Sequence, residues 1–452
     1  MKRTLRMLRE LRRYPTAVLG LAIIATLLIA SAYAMIAIPY SEAIRLWRGG
    51  AGVWDENPRN APPAWTALFS GKNVPRTIVV STADAGVKTV VPLDDGKSQV
   101  EIVIPFDYPY DGFPSEVTLY STARIAVEGR VRYSVFWRNP LGQTLQITPA
   151  AGRVNRGSDA LYISQDMSLL TQLGVAPEVG LFTDWTIGVP QAQRVPVNGR
   201  YELVVQTKIS EGEDFDGKLV VYGRVHGLAG TDHRRRDLTV ALLWGAPLAL
   251  AFGLVAAVGS SLSTFVLAGI GTWFGGKLDA LFQRITEVNM IIPMLPILIM
   301  VGQFYSRSLW LMLGLIILLS IFSAGMKTYR AMFLQAKEAP YIEAAQAYGA
   351  GNMRIVFRYL LPRIVPVLLP TFVLIVPTFV FLEASLAVIG LGDPILPTWG
   401  KIINDALGQG ALYKGYYYWA LEPAVLLMLT GFGFAMVGYA LDRVFNPRLR
   451  TL

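Results

Sequence analysis

The chain has 452 residues, a net charge of +9 and no cysteine, so disulfides, thiol catalysis and cysteine-ligated metal sites are excluded. A mean hydropathy of +0.42 with only 16% charged residues is typical of a membrane protein that carries a sizeable soluble part.

The first apolar stretch, Ala17–Ile38, contains no charged residue and follows a basic N-terminus that starts Met1-Lys2-Arg3. A membrane helix needs about 20 apolar residues. The stretch is long for a signal peptide, and Pro39 follows it in a poor cleavage site. We therefore predict that residues 1–39 form a cytoplasmic N-terminus and an uncleaved first membrane helix.

Residues 40–229 are predicted to form a separate domain inserted between the first and second membrane helices. Their strand-like alternation favours a mostly-β, sandwich-like fold. A short helix is expected at Ser164–Leu173, capped by Ser164 or Asp166. The strand-like segments are 99–104, 116–120, 131–137, 201–205 and 218–222, and turn signals lie at 95–96, 111–112, 198–199 and 216–217.

Residues 230–452 are predicted to contain five further membrane helices, which makes six in all. Residues 40–229 hold 18 of the 41 basic residues but 20 of the 32 acidic ones, so the positive excess lies in the membrane part. The positive-inside rule explains this distribution better than a nucleic-acid partner does. It places both termini and the segment 327–363 in the cytoplasm, and 40–229 outside. The predicted spans lie near 238–272, 288–303, 308–326, 364–390 and 420–440.

The polar segment within 327–363 has the pattern of a short helix followed by a glycine break. Pro340 suits the first turn of that helix, and Glu343 lies where the helix dipole favours an acid. Gly349 permits a chain reversal. A second helix is expected at Met353–Leu361, with Pro362 and Pro366 resetting its direction. From these residues alone, a loop helix packed on the bundle and an element gripped by a cytoplasmic partner are both open.

The same segment resembles the EAA loop of ABC-importer permeases. The matching residues are Glu343, Ala344, Ala345, Gly349, Leu361 and Pro362, and Ala347 lies between them.

Further matches resemble the second permease subunit of dipeptide/oligopeptide/nickel-type importers. Gly230-Thr231-Asp232 with Arg236-Asp237 is similar to the G-T-D-x-x-G-R-D motif of that family, although Arg235 stands where the family has glycine. Other matching segments are 273–279, 383–386, 390–392, 397–400 and 446–449. The long insert 40–229 also departs from the family.

The resemblance implies the fold of a type I ABC-importer permease in a prokaryotic inner or plasma membrane, with several passes. It also implies a second homologous permease subunit, two cytoplasmic ATPases that hold ATP and Mg²⁺, and an extracytoplasmic solute-binding protein. The chain itself would hold no cofactor and catalyse no reaction. Its expected role is transport of peptides or similar solutes, with Glu343–Gly349 transmitting motion from the ATPases.

Three other features are candidate sites. Glu383 lies within an apolar span and is either a structural hydrogen-bonding group or a contact in the translocation path. The segment Gly230–Asp237 is expected to be a structural cap rather than a ligand site. The two histidines, His226 and His233, give little support for a metal site.

The insert has three possible roles: docking the solute-binding protein, capping the channel mouth, or binding a ligand such as a carbohydrate. An alternative function for the whole chain is a membrane-anchored receptor or scaffold whose β domain binds a partner or ligand.

Overall fold

The computed structural model describes residues 14–50, 52–84, 87–93, 97–124, 131–147, 152–154, 157–185, 193–210 and 212–445. The predicted turn at 95–96, the basic residues before 14 and the motif at 446–449 lie outside these residues. The chain divides into two compact units, one of Met1–Arg48 with Val240–Leu452 and one of Gly49–Thr239. Both boundaries fall later than the predicted 40 and 229.

The first helix, α1 (Pro15–Ala37), is followed closely by the short helix α2 (Tyr40–Arg48). Helix α2 belongs to the unit of Met1–Arg48 and Val240–Leu452. Its Ala43 packs with Ala34 of α1 and with Trp244 in one apolar cluster. The Trp244 indole N–H also donates a hydrogen bond of 3.1 Å to the Ile38 carbonyl. These contacts explain why the boundary lies after residue 48.

The described residues of the unit Gly49–Thr239 form ten strands in two antiparallel sheets. The strands are β1 Ile78–Ser81, β2 Lys88–Pro92, β3 Lys97–Tyr108, β4 Glu116–Arg124, β5 Val131–Arg138, β6 Thr144–Gln146, β7 Gly152–Val154, β8 Gly157–Tyr162, β9 Gly199–Ser210 and β10 Asp214–Tyr222. One sheet has the order β1-β10-β4-β8. The other has the order β2-β3-β9-β5-β6, with β7 also paired to β5.

Both sheets contribute to one hydrophobic core, in which Ile102 of β3 and Leu119 of β4 are fully buried. The five segments predicted to be strands are confirmed. The predicted turn at Asp216-Gly217 is wrong, because both residues lie inside β10 and pair with Thr122 and Ser121. The hydrogen bonds between β10 and β4 and the packing against the core outweigh the local turn propensity of these two residues.

Short helices complete this unit. A 3₁₀ helix spans Ala64–Phe69, another spans Ile163–Gln165, and α3 (Met167–Leu173) and α4 (Pro177–Gly180) follow. Of the two predicted caps for α3, Asp166 is the one used, and its carboxylate accepts from the backbone N–H groups of Ser168 and Leu169.

The apolar helices of the other unit are partly interrupted. Helix α5 (Leu238–Phe274) is unbroken, whereas α6 (Gly276–Ile291) and α7 (Met294–Phe304) meet at 75°, and α8 (Leu309–Ile321) and α9 (Ala324–Lys337) meet at 44°. The glycines at 275 and 276, where α5 ends and α6 begins, both have positive φ. Among the residues that the structure describes, four helices are individually long and apolar enough to span a membrane, and the count becomes six if each bent pair is one span.

The remaining helices are α10 Pro340–Ala347, α11 Asn352–Ile355, α12 Leu361–Leu386, α13 Trp399–Gly408 and α14 Tyr417–Phe445. A π-helical turn, Val356–Leu360, joins α11 to α12, and another, Ala387–Leu391, follows α12. Helices α11 and α12 and the two π-helical turns form one apolar helix from Asn352 to Leu391.

Candidate coupling site

The predicted polar element is a two-turn helix, α10, that starts at a proline. Pro340 occupies the first turn, and Glu343 is the acid near the N-terminus. The missing N–H of a proline costs little at this position, because the first N–H groups of a helix have no partner within it. Both features agree with the sequence prediction.

A Schellman motif ends α10. The Gly349 N–H donates to the Gln346 carbonyl at 2.9 Å, and the Ala350 N–H donates to the Ala345 carbonyl at 3.0 Å. Gly349 has a φ of +75°, a conformation that favours glycine over any residue with a Cβ. The second glycine, Gly351, has an ordinary φ of −68°. The chain reversal therefore depends on Gly349.

The motif residues divide between two faces of the structure. Ala345 and Leu361 are buried, whereas Glu343, Ala344 and Ala347 are exposed. The exposed set also contains Gly349 and Pro362. The motif thus combines residues that anchor α10 with residues that are presented outward.

Tyr348 is a prominent exposed residue that the sequence reasoning missed. It is 92% exposed and lies at the C-cap of α10. Tyr341, Ala344 and Tyr348 are spaced at i, i+3 and i+7, so they share one helical face. That spacing was the signal in the sequence that could have revealed an aromatic and alanine surface.

The buried side of α10 belongs to a hydrophobic cluster formed by several helices. Ile342 and Ala345 meet Phe333 of α9 and Leu361 of α12 in this cluster. Gly269 of α5 makes the close approach possible, because a Cβ there would lie 2.8 Å from Leu361 Cδ2. A rotation or shift of α10 therefore has to be accommodated by α5, α9 and α12.

Two polar contacts brace α9, the helix that leads into α10. Arg330 makes a bidentate ion pair with Asp279 of α6, with a shortest distance of 2.6 Å. Lys337 donates to the Thr272 and Trp273 carbonyls at 3.3 and 3.1 Å, which caps the C-terminal end of α5.

A π-helical turn lies just before Pro362, where the prolines were expected to reset the direction of the second helix. The Leu361 N–H bonds to the Val356 carbonyl five residues back, and Pro362 has no N–H with which to continue the α-helical pattern. The helix nevertheless continues through Pro366, which lies inside α12. The prediction that these prolines reset the chain direction is wrong, because a wider turn absorbs the missing hydrogen bond.

The motif Gly230–Asp237 forms a buried turn at the edge of the β unit. The Thr231 hydroxyl donates to the Pro58 carbonyl at 2.7 Å and accepts from the Ala61 N–H at 3.0 Å. Asp232 is fully buried, and its carboxylate lies 2.5 Å from Arg236 Nε. Such pairing suits a structural role.

The ends of this turn are also fixed. Gly230 has a φ of +72°. Asp237 precedes α5 and accepts a 2.8 Å hydrogen bond from the Thr239 N–H, which is an N-cap contact.

Arg235, the departure from the family motif, has a φ of +65°. A glycine accepts this left-handed conformation without strain, whereas an arginine does not. The side chain compensates by pairing with Glu116 and by donating to the Asn57 carbonyl at 2.6 Å. It also stacks over Tyr222, 4.0 Å from the ring centroid.

Glu383 is buried in α12 beside the segment that precedes α13. Its Oε1 has no hydrogen-bond partner among the described residues. Gly400, at the start of α13, allows that helix to approach α12, because a Cβ there would lie 2.7 Å from Ala384 Cα. The structure thus brings together the matching segments 383–386 and 397–400.

The β unit contains a polar cleft of about 520 Å³ on the four-stranded sheet. Hydroxyl and carboxylate groups of Asp55, Thr82, Thr122, Ser158 and Asp216 line it. Its size is within the range for a small-molecule site. In the part of the chain that the structure describes, no group of three or more His, Asp or Glu residues could hold a metal ion.

The chain is similar to known membrane transport proteins. A family model described as "Binding-protein-dependent transport system inner membrane component" matches residues 250–451. The Oligopeptide transport system permease protein OppC of Bacillus subtilis (strain 168) is 32% identical over 223 residues, which cover 49% of this chain and 72% of that protein. The chain belongs to this family of inner membrane components. The resemblance to ABC-importer permeases is therefore confirmed.

Other relatives fit the same family. The Dipeptide transport system permease protein DppC of Bacillus subtilis (strain 168) is 30% identical over 49% of this chain and 68% of that protein. A solved structure entitled "Inward facing conformations of the MetNI methionine ABC transporter" shares 21% identity, with a TM-score of 0.33 over 46% of this chain and 96% of that chain. That likeness is too weak to support a comparison of the folds.

Proposed function

We propose that the chain is a permease subunit of a heteromeric ABC importer for peptides or similar solutes. It would form part of the translocation path together with a second homologous permease. Two cytoplasmic ATPases would bind ATP and Mg²⁺, and a solute-binding protein would deliver the solute. The peptide class is suggested by relatives that are named as oligopeptide and dipeptide permeases.

The observation that carries the proposal is the division of α10 into an anchored face and an exposed face. Ala345 is held in the helix cluster, while Glu343 and Tyr348 are exposed beside it. An ATPase that binds the exposed face of α10 would move the whole helix when it changes conformation. Because Ala345 is packed in the cluster, α5, α9 and α12 would move as well. Alternating access requires that two global states differ in such contacts.

The proposed topology follows the type I importer pattern, with six spans and both termini in the cytoplasm. The pairs α6–α7 and α8–α9 each count as one bent span. Residues 40–229 would lie outside the cell as a sandwich-like domain, where the two sheets share one core. Arg354, Arg358 and Arg363 would then lie on the cytoplasmic side, in accord with the positive-inside rule.

The proposed site residues have two roles. Glu343, Ala344, Ala347, Gly349 and Pro362 would contact the ATPase or shape the surface that it grips, and Ala345 and Leu361 would anchor that surface. Glu383 would stabilise the packing of α13 against α12, at a position close to the translocation path.

The test is transport and ATP hydrolysis by the reconstituted complex with Glu343→Lys, which reverses a charge on the exposed face of α10. We expect the complex to fold and to lose solute-stimulated ATP hydrolysis. The matched control is Glu287→Lys, the same charge reversal at another exposed glutamate. Full solute-stimulated hydrolysis by the Glu343→Lys complex would refute the proposed role of α10.

The second candidate function, a receptor or scaffold, is favoured by the polar cleft of the β unit. Co-purification distinguishes the two candidates. An importer subunit should bring two ATPases and a second permease, whereas a scaffold should not. Deletion of 40–229 should abolish affinity for the solute-binding protein if the insert is a docking platform.

A further inference from the structure

The β unit exposes an apolar patch that its own core does not explain. Leu68 and Phe69 are each 83% exposed, Leu228 is 74% exposed and Trp65 is 48% exposed. Such a cluster is unusual on the surface of a soluble domain and marks a contact with something apolar. We call Trp65, Leu68, Phe69 and Leu228 the apolar patch.

The patch is held together as a unit. Trp65 and Phe69 lie on the 3₁₀ helix Ala64–Phe69, with their rings edge to face at 6.3 Å. The Trp65 indole N–H donates to the Leu228 carbonyl at 3.0 Å. The Ala64 N–H donates to the Gly227 carbonyl at 2.9 Å. The patch therefore joins two segments that are more than 160 residues apart in the chain.

These two segments continue into the places where the chain enters and leaves the β unit. The entering segment follows α2, and the leaving segment runs into α5. The two are hydrogen-bonded side by side, since the Thr231 N–H donates to the Ala61 carbonyl at 2.8 Å and the Asn60 N–H donates to the Asp232 carbonyl at 3.1 Å. Along the chain, the entering segment is joined to α1 through α2, and the leaving segment runs into α5.

All of the charged residues within the two segments that carry the patch are basic. The sequence 61–83 contains no Asp or Glu, and neither does 224–231. Lys72, Arg76 and Arg224 are exposed in these segments, and the Arg224 N–H bonds to the Pro75 carbonyl at 2.8 Å, next to Arg76. Two carboxylates lie near these segments: Asp111 accepts from the Asn73 N–H at 2.8 Å, and Asp237 would lie 3.4 Å from a Cβ at Gly227. Apolar and aromatic side chains with flanking cations suit a surface of anionic phospholipids.

We propose that the apolar patch is a membrane-surface anchor, inserted among the lipids at the interface from which α1 and α5 emerge. Trp65 would lie at the level of the headgroups, because its indole combines a large apolar ring with a hydrogen-bonded N–H. Leu68, Phe69 and Leu228 would reach the upper acyl chains, and Lys72 and Arg76 would contact phosphates. The anchor does not depend on which solute is carried.

The absence of cysteine allows a direct test with single nitroxide labels. Leu68→Cys, Phe69→Cys and Leu228→Cys are labelled in the full chain, within the assembly with which it purifies, in vesicles of phosphatidylethanolamine and phosphatidylglycerol. Leu141→Cys is the matched control, because Leu141 is an exposed leucine (53%) in the turn between β5 and β6. Electron paramagnetic resonance then gives the accessibility of each label to oxygen and to a water-soluble nickel chelate.

We expect the ratio of oxygen to nickel accessibility to be severalfold higher at 68, 69 and 228 than at 141, because oxygen concentrates in lipid and the chelate does not. Ratios equal to that of the control would overturn the anchor, since the patch would then lie in water. Labels that are shielded from both reagents would also overturn it, because a protein partner would then cover the patch.

Discussion

Arg235 and Tyr222 form a cation–π contact in which the guanidinium carbon lies 4.0 Å from the ring centroid. The contact joins a family motif to the β domain that this chain adds. It explains why an arginine stands at a left-handed position where the family has glycine. The strain is offset by an ion pair with Glu116 and a hydrogen bond to Asn57, both within the β unit.

Replacing Arg235 by alanine should loosen the turn at the edge of the β unit. The change keeps the backbone strain and leaves the half-buried Glu116 with Arg59, 3.9 Å away. We expect the opening free energy of segments 57–61 and 230–237 to fall by about 2–4 kcal/mol. Hydrogen exchange of the full chain measures it.

The control is the neighbouring Arg234→Ala, which removes an exposed arginine and should leave exchange unchanged. Arg235→Gly should be milder than Arg235→Ala by about 1 kcal/mol, because glycine relieves the strain. Equal exchange in all three variants would show that Arg235 does not hold the turn.

Gly349→Ala should weaken the end of α10 without a steric clash. A Cβ at this position would meet nothing within 4 Å, so the cost is the left-handed backbone alone, about 1–2 kcal/mol. We expect reduced solute-stimulated ATP hydrolysis in the reconstituted complex. The control is Gly351→Ala, at an ordinary φ of −68°, and similar activity of the two variants would contradict the role of the Schellman motif.

The two faces of α10 should respond differently to substitution. Tyr348→Ala should lower the affinity for the ATPase by about tenfold and leave the melting temperature unchanged, as expected for an exposed aromatic contact. Ala345→Leu should lower the melting temperature, because overpacking the helix cluster costs about 1–3 kcal/mol. Binding and thermal unfolding are measured on both variants.

Tyr413→Ala is the control for the exposed face, since Tyr413 is 99% exposed outside the coupling segment. If Tyr348→Ala binds the ATPase as tightly as Tyr413→Ala does, the aromatic residue takes no part in coupling.

Gly245→Ala should be strongly destabilising. A Cβ at this position would lie 2.2 Å from Trp399 Cδ1, and Trp399 is buried and hydrogen-bonded to the Leu242 carbonyl at 2.9 Å. We expect a loss of about 3 kcal/mol and a lower melting temperature in detergent. Gly314→Ala, inside α8 with open space around it, should instead be neutral or gain up to about 1 kcal/mol. The same melting temperature for both variants would mean that Trp399 can move aside.

The stability of the β unit should depend on pH through His226. Burial lowers the pKa of this histidine below its ordinary value of 6.5, although Asp237, 4.0 Å away, partly opposes the shift. The unfolded chain therefore takes up a proton at a higher pH than the folded chain does. Stability is fully present above about pH 6.5 and declines as the pH falls towards the lower folded pKa.

His226→Gln should flatten this dependence, because glutamine does not titrate. The measurement is hydrogen exchange of residues 224–231 between about pH 5 and pH 7.5, the range in which an ordinary histidine changes its charge. An unchanged slope in the variant would assign the dependence to another group.

Much of the fold was predictable because the signals were local. Long runs of apolar residues identified α1, α5 and α14. Alternation of apolar and polar residues identified β3, β4, β5, β9 and β10. Asp216-Gly217 was misread as a turn, since pairing with β4 overrides its local preference. Pro362 was expected to reset the chain direction, but the helix continues through it after a π turn.

The sequence by itself determined the membrane helices, the added β domain and the place of α10, because hydrophobic length, alternation and the glycine at 349 act within a few residues of the chain. Only the tertiary structure decided that Ala345 is anchored while Ala344 is exposed, that α6 and α7 meet at 75°, and that Arg235 is paired with Glu116. Each of these depends on contacts between distant segments, whose burial and close packing no local pattern encodes.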